Sequence, residues 1–258
     1  MVYFVGAGSG APDLITVRGA RLLNQADQII YAGSLVNPEL LDYKKESAVV
    51  YDSAKMTLEE VIEKIQEAES AGKMTVRLHT GDPCVYGAIR EQMDELDKLN
   101  ISYEVCPGVS SFCGAASALN LEYTLPGISQ SVIITRMAGR TPVPERESIA
   151  SFAAHHATMV IFLSTGMLKK LSEELIKGGY EADTPAAIVY KATWPDEKRV
   201  VCTAATLAEA AERENIKKTA LIIVGDVTAQ AGYERSRLYA PEFTTEFRQG
   251  TDGFVYQM

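Results

Sequence analysis

Three short stretches carry the residue types from which a ligand site is built. Val2-Tyr-Phe-Val5 runs into Gly6-Ala-Gly-Ser-Gly10, Thr75-Val-Arg-Leu78 runs through His79 into Thr80-Gly81-Asp82-Pro83, and Tyr103–Cys106 runs into Pro107-Gly108-Val-Ser110-Ser111. Each is an apolar run that breaks on glycine or proline and gives way to a helical pattern. At the C-terminal end of a strand, such a turn lets backbone N–H groups approach a ligand closely, because glycine has no Cβ to hold it off. Ser110 and Ser111 are suited both to cap the helix that follows and to present hydroxyls. Nothing comparable points to nucleophilic catalysis. His79 is expected as a polar contact beside Thr80-Gly81, and His155 and His156 at the surface near a helix end.

Gly6, Gly8 and Ala11 also satisfy the G-x-G-x-x-[GA] pattern of a dinucleotide-binding turn. That fingerprint requires an acidic residue about 20 positions on, at the end of the second strand. Here that strand ends Tyr31-Ala32-Gly33, Asp27 precedes it, and Pro12 stands where the phosphate-binding helix would begin. On these residues a nicotinamide enzyme, a tight turn without a ligand and a nucleotide-sensing binding protein all stay open.

The elements around the turns point to two α/β domains, 1–125 and 126–258, with a ligand cleft between them and a C-terminal extension from about Tyr233. Strands are expected at Val2–Val5, Gln28–Tyr31, Ala48–Tyr51, Thr75–Leu78 and Tyr103–Cys106, alternating with helices, a pattern that predicts a largely parallel sheet. A second set follows at Ser131–Thr135, Met159–Leu163, Ala186–Tyr190, Arg199–Thr203 and Ala220–Val224. Thr57 and Glu60 form a capping box ahead of the apolar face Leu58, Val61, Ile62, Ile65, Ala68. With 258 residues, 47% apolar and 23% charged, the chain has an ordinary globular composition. Its net charge of −9 argues against general nucleic-acid binding. Cys84, Cys106, Cys113 and Cys202 lie far apart without CxxC spacing, so no metal site or disulfide framework is expected. Apolar runs such as Ala220–Val224 are too short to span a membrane. A cytoplasmic protein is expected.

Gly6-Ala-Gly-Ser-Gly-Ala-Pro-Asp-Leu-Ile-Thr16, Thr80-Gly-Asp-Pro83 with Tyr86-Gly87, and Pro107-Gly-Val-Ser-Ser111 together resemble the three N-terminal motifs of the tetrapyrrole methylases, which use S-adenosylmethionine (SAM). Within that family, Tyr31–Val36, Thr135–Glu145 and Val189–Lys198 resemble the branch that methylates ring carbon 11 of precorrin-4 or cobalt-precorrin-4 in corrin biosynthesis. The resemblance implies a non-Rossmann methyltransferase that folds SAM, and its product S-adenosylhomocysteine, into the cleft between two α/β domains, usually as a homodimer. It implies cofactor contacts at Ser9, Thr80, Gly81, Asp82, Val85, Tyr86, Ser110 and Ser111. In the second domain it places them at Leu163, at Tyr190, Lys191 and Ala192, and at Thr219 and Ala220. Ser9 stands where many members have proline, and Ala11 where many have aspartate. Some relatives that methylate uroporphyrinogen carry an aspartate, proposed as a base, where this chain has Ala32, so no catalytic residue is assigned. A tetrapyrrole's rim of carboxylates needs cations, and Arg136, Arg140 and Arg146 share one glycine- and proline-rich loop; Lys191 and Lys198, flanking Trp194-Pro195, add to them.

Overall fold

The computed structural model describes residues 1–251. They form two compact units: Met1–Leu119 with Val189–Arg199, and Asn120–Ile188 with the described residues from Val200 onward. A single division at 125/126 assigns Val189–Arg199 to the second body; the structure packs that segment with the first.

In the first unit, strands β1 (Val2–Gly6), β2 (Gln28–Tyr31), β3 (Val49–Asp52), β4 (Thr75–His79) and β5 (Tyr103–Cys106) build one sheet in the order β3-β2-β4-β1-β5. All its pairings are parallel. Alternation along β1 and β4 divides the core. Val5, Val76 and Leu78 pack with Leu23 of helix α1 (Val17–Gln25), with Ala26 just past its end and with Leu40. Val2 and Phe4 face the other way, onto Val61, Ile62 and Ile65 of α2 (Leu58–Ser70) and Met93 and Leu96 of α3 (Ile89–Lys98). Burying each large side chain of this kind stabilises the fold by about 1.5–3 kcal/mol.

Local signals set the helix starts. The Thr16 hydroxyl accepts from the Gly19 amide at 3.0 Å to begin α1. Thr57 and Glu60 close the expected capping box on α2. The crossover from β1 passes over one face of the sheet through α1, and the one from β4 over the other through α3. Adjacent strands whose connections leave toward opposite faces define a topological switch point, where open α/β sheets place their ligands.

The second unit's sheet has the order β6-β7-β10-β8-β9, from β6 (Val132–Arg136), β7 (Thr158–Phe162), β8 (Pro185–Tyr190), β9 (Lys198–Thr203) and β10 (Ala220–Val224). β6 and β7 run parallel while β10 runs antiparallel to β7, so the sheet is mixed. The segment after Tyr233 is organised by Arg248, whose guanidinium donates to the carbonyls of Leu238, Ala240 and Phe243. Among the described residues no helix is long and apolar enough to cross a membrane.

Candidate functional site

The three glycine turns meet at the C-terminal ends of β1, β4 and β5. Gly8 and Gly81 pair as an isolated antiparallel bridge, with Gly8 N–H donating to Gly81 O at 3.2 Å and Gly81 N–H to Gly8 O at 2.9 Å. The Ala7 amide donates to His79 O at 2.7 Å. A Cβ on Gly6 would lie 2.5 Å from Gly108 Cα, and one on Gly108 would lie 2.2 Å from Gly81 O. Backbone touches backbone here, which only glycine permits.

Asp82 fastens two of these turns together. Its Oδ1 accepts from the Cys84 amide and its Oδ2 from the Gly108 amide, both at 2.8 Å. Burial pushes this carboxyl up, but the hydrogen bonds from Cys84 and Gly108 outweigh it and hold its pKa below the ordinary 3.8. The Asp82 carboxylate is thus occupied by the protein's own amides. Thr80 donates to Leu35 O at 3.4 Å. Ser9 and Ser110 are buried, and helix α4 (Ser111–Leu119) begins where the third turn ends.

His79 is buried with its Nε2 unpartnered and its ring against Phe4. Burial, aided by the charge of Arg77, lowers its pKa to about 3, so it is neutral at working pH. Arg77, on the same face of β4, donates to Gln92 Oε1 at 2.9 Å and to Ile30 O at 2.7 Å; Gln92 in turn donates to Ala88 O at 3.0 Å. This pair braces the turn of Tyr86 (φ 56) and Ala88 (φ 49). His155 and His156 are exposed just past α5 (Ile149–Ala153), where the sequence places them.

Strained backbone marks the remaining candidates. Asn100, Asn120 and Asn215 hold positive φ at helix ends, an ordinary use of asparagine. Tyr86, Leu163, Lys191, Thr193 and Thr219 hold φ between 45 and 68 with side chains that disfavour it, a pattern that collects at ligand sites. Lys191 is engaged: its Nζ meets Asp196 at 2.7 Å and lies 5.4 and 5.3 Å from the Tyr190 and Trp194 rings. Ala192 is buried, and its carbonyl faces Gly10. Thr193 carries no motif signal, and sequence reasoning passes over it.

In the second unit, β7 pairs with β10 so that Leu163 emerges beside Ala220. The Thr165 hydroxyl donates to Ala220 O at 3.1 Å and accepts from Ala220 N at 3.4 Å. Leu163 is 65% exposed, held out by its left-handed backbone. The Met137 amide donates to the buried Ser164 hydroxyl at 2.9 Å, which donates to Phe162 O. Arg136 is spent on its own loop, donating to the carbonyls of Met137, Thr141 and Pro142. Arg146 lies 3.7 Å from Glu147. Arg140 is exposed, with no partner among the described residues.

The sequence profile of the Tetrapyrrole (Corrin/Porphyrin) Methylases matches residues 1–208. The chain belongs to this family. It is 52% identical over 253 residues to the cobalt-precorrin-4 C(11)-methyltransferase of Methanocaldococcus jannaschii, covering 98% of each chain. The X-ray structure of a cobalamin biosynthetic enzyme, cobalt precorrin-4 methyltransferase, matches with a TM-score of 0.86 at 47% identity over 88% of this chain and 95% of that one. The Thermus thermophilus uroporphyrin-III C-methyltransferase, complexed with S-adenosylhomocysteine, matches with a TM-score of 0.72 at 27% identity, covering 93% and 94%. The dinucleotide-binding turn also lacks its helix: in this methylase Gly6–Ala11 leads into the three-residue 3-10 turn Pro12–Leu14, and α1 starts only at Val17.

Proposed function

We propose that this chain transfers a methyl group from SAM to ring carbon 11 of precorrin-4, as the free macrocycle or its cobalt complex, in cobalamin biosynthesis. The observation that carries the reading is near-full-length identity to a cobalt-precorrin-4 C(11)-methyltransferase, seated on a fold whose three glycine turns converge at a topological switch point.

The turn cluster suits a compact, polar cofactor: it offers backbone groups at close range, the Ser9 hydroxyl, and Val85 and Tyr86 on a braced left-handed turn. Ser9, Thr80, Gly81, Ser110 and Ser111 are the contacts we assign in the first unit. When bound, SAM supplies a methyl already activated on a sulfonium, so no covalent nucleophile is required of the protein. The chain's own residues bind and orient. Holding reacting atoms in near-attack geometry supplies ~7–11 kcal/mol. A homodimer is part of this reading, on the family resemblance. A reducing, cytoplasmic setting fits the four free cysteines.

An anaerobic assay with SAM and either metal-free or cobalt-bound precorrin-4 tests the reading. One methyl gained at carbon 11, with stoichiometric S-adenosylhomocysteine, is expected; methylation at another carbon, or none with either macrocycle, overturns it.

Within this reading the arginine loop separates into a clamp and a brace. Arg140→Ala is expected to raise the tetrapyrrole KM about tenfold and leave SAM affinity unchanged, as for one lost charge-assisted hydrogen bond. Arg136→Ala, which frees three loop carbonyls, will in addition speed amide exchange across 137–142. Wild-type KM in Arg140→Ala would remove this loop from substrate binding.

A further inference from the structure

The Tyr190–Glu197 turn grips the first glycine turn from a distance of more than 180 residues in sequence. Thr193 is β-branched yet sits at φ 68, where such a side chain is an outlier and persists only if its surroundings over-determine it. Its amide donates to Glu197 Oε2 at 2.7 Å. Its Oγ1 accepts from the Ala11 amide at 3.0 Å and lies 3.1 Å from Ser9 Oγ. Glu197 is braced in turn by Arg199 at 3.5 Å, which donates to Ala118 O near the end of α4 at 2.9 Å.

Two glycines show how tightly the turn is seated. A Cβ on Gly10 would lie 2.2 Å from Trp194 Cδ1, and one on Gly114 would lie 2.7 Å from Ser9 Cβ and 3.2 Å from Thr193 Cγ2. With Oγ1 accepting from Ala11, its proton and its second lone pair both remain available to Ser9 Oγ, so either hydroxyl can donate across the 3.1 Å contact and the pair holds Ser9 in place. We infer that Thr193 is a positioning residue of the cofactor site: its hydroxyl fixes the Ala11 amide and orients the Ser9 hydroxyl, so the Gly6–Ala11 turn is set before the cofactor arrives. This rests on the SAM reading of that turn.

The test compares wild type, Thr193→Val and Thr193→Ser by S-adenosylhomocysteine calorimetry, steady-state kinetics and hydrogen exchange of the Ala11 amide in the ligand-free protein. Thr193→Val keeps the branch and loses the hydroxyl, leaving the half-buried Ala11 amide without its acceptor, so its Kd is expected to rise roughly tenfold or more. The loss is one of binding, so kcat at saturating SAM should stay within about threefold, while Ala11 exchange accelerates. Thr193→Ser should restore both readouts. Wild-type affinity in folded Thr193→Val, or a serine variant as weak as the valine, overturns the inference. A wild-type protein that binds no S-adenosylhomocysteine would instead sink the SAM reading, and Ala11 exchange would then decide the lock by itself. Should Thr193→Val not fold, Glu197→Gln loosens the same backbone and is read the same way, unchanged affinity and unchanged Ala11 exchange again overturning the inference.

Discussion

Gly108→Ala will cut SAM affinity by about 100-fold and lower Tm by on the order of 10 °C, through a single methyl group. The added Cβ would lie 2.2 Å from Gly81 O, 2.7 Å from Gly6 Cα and 2.9 Å from Gly6 C. These are backbone atoms at the ends of central parallel strands, so no side chain can swing away. Relief requires the turns after β1, β4 and β5 to separate. Overpacking of this kind typically costs about 1–3 kcal/mol and occasionally more, and a displacement of about 1 Å in a binding constellation costs about 10²-fold. Gly72→Ala is the control. Gly72 has φ +65 and open space around its Cβ position, so only backbone strain is introduced, and SAM affinity should not change. Calorimetric affinity and thermal melts on both variants decide the matter; wild-type affinity in Gly108→Ala would mean that the turn cluster is not the cofactor cradle.

Gly81, by contrast, is the glycine that the family resemblance sets against the cofactor, yet it has more room. Its Cβ would meet nothing nearer than Ser111 N at 3.3 Å, though φ is +60. Its amide and carbonyl are both committed to Gly8, so a bulky substitution there disturbs the bridge as well as any ligand. Sequence shows where glycine is present; only the packing shows which glycine has a backbone against it.

The same contrast holds for the fold at large. Apolar runs bounded by turn residues locate the ten strands of the described residues within a residue or so, most clearly in β1, β4, β7 and β10, where burial on both faces demands such runs. The Thr57–Glu60 box is legible for the same reason: its logic is local. What sequence cannot carry is contact over long separation. Nothing near Thr193 signals a partner 184 residues away, and no local pattern assigns Val189–Arg199 to the first unit. Charge is ambiguous in the same way. Arg136 and Arg140 look equivalent in the sequence, but one wraps its own loop's carbonyls. The antiparallel course of β10 beside β7 is likewise invisible to alternation, which reports strands but not their direction.

Asp82→Ala is expected to raise the Kd for SAM by about 10- to 100-fold while kcat at saturation falls by less than tenfold. A proton-transfer residue would give the opposite split, with kcat down about 10²–10⁴-fold and binding spared. The reason for the first outcome is the geometry: both carboxylate oxygens already accept amides, from Cys84 and from Gly108, and a hydrogen bond to a charged group contributes about 1.5–3 kcal/mol. Removing the carboxylate frees the second turn from the third and leaves two donors unsatisfied. Asp82→Asn retains one acceptor oxygen and should fall between wild type and alanine. A pH readout separates the staple from a mere steric effect. The native carboxyl titrates below its ordinary 3.8, because hydrogen bonds from the Cys84 thiol and from the Cys84 and Gly108 amides together outweigh burial. Its contribution to stability is therefore complete above the unfolded-state value and is lost as pH falls through the lower folded value. Wild type should lose stability across that acid window, and Asp82→Ala should lack this component of the loss. Equal acid sensitivity in the two proteins, or a kcat effect larger than the Kd effect, would show that Asp82 acts on the reacting atoms and not on the turns.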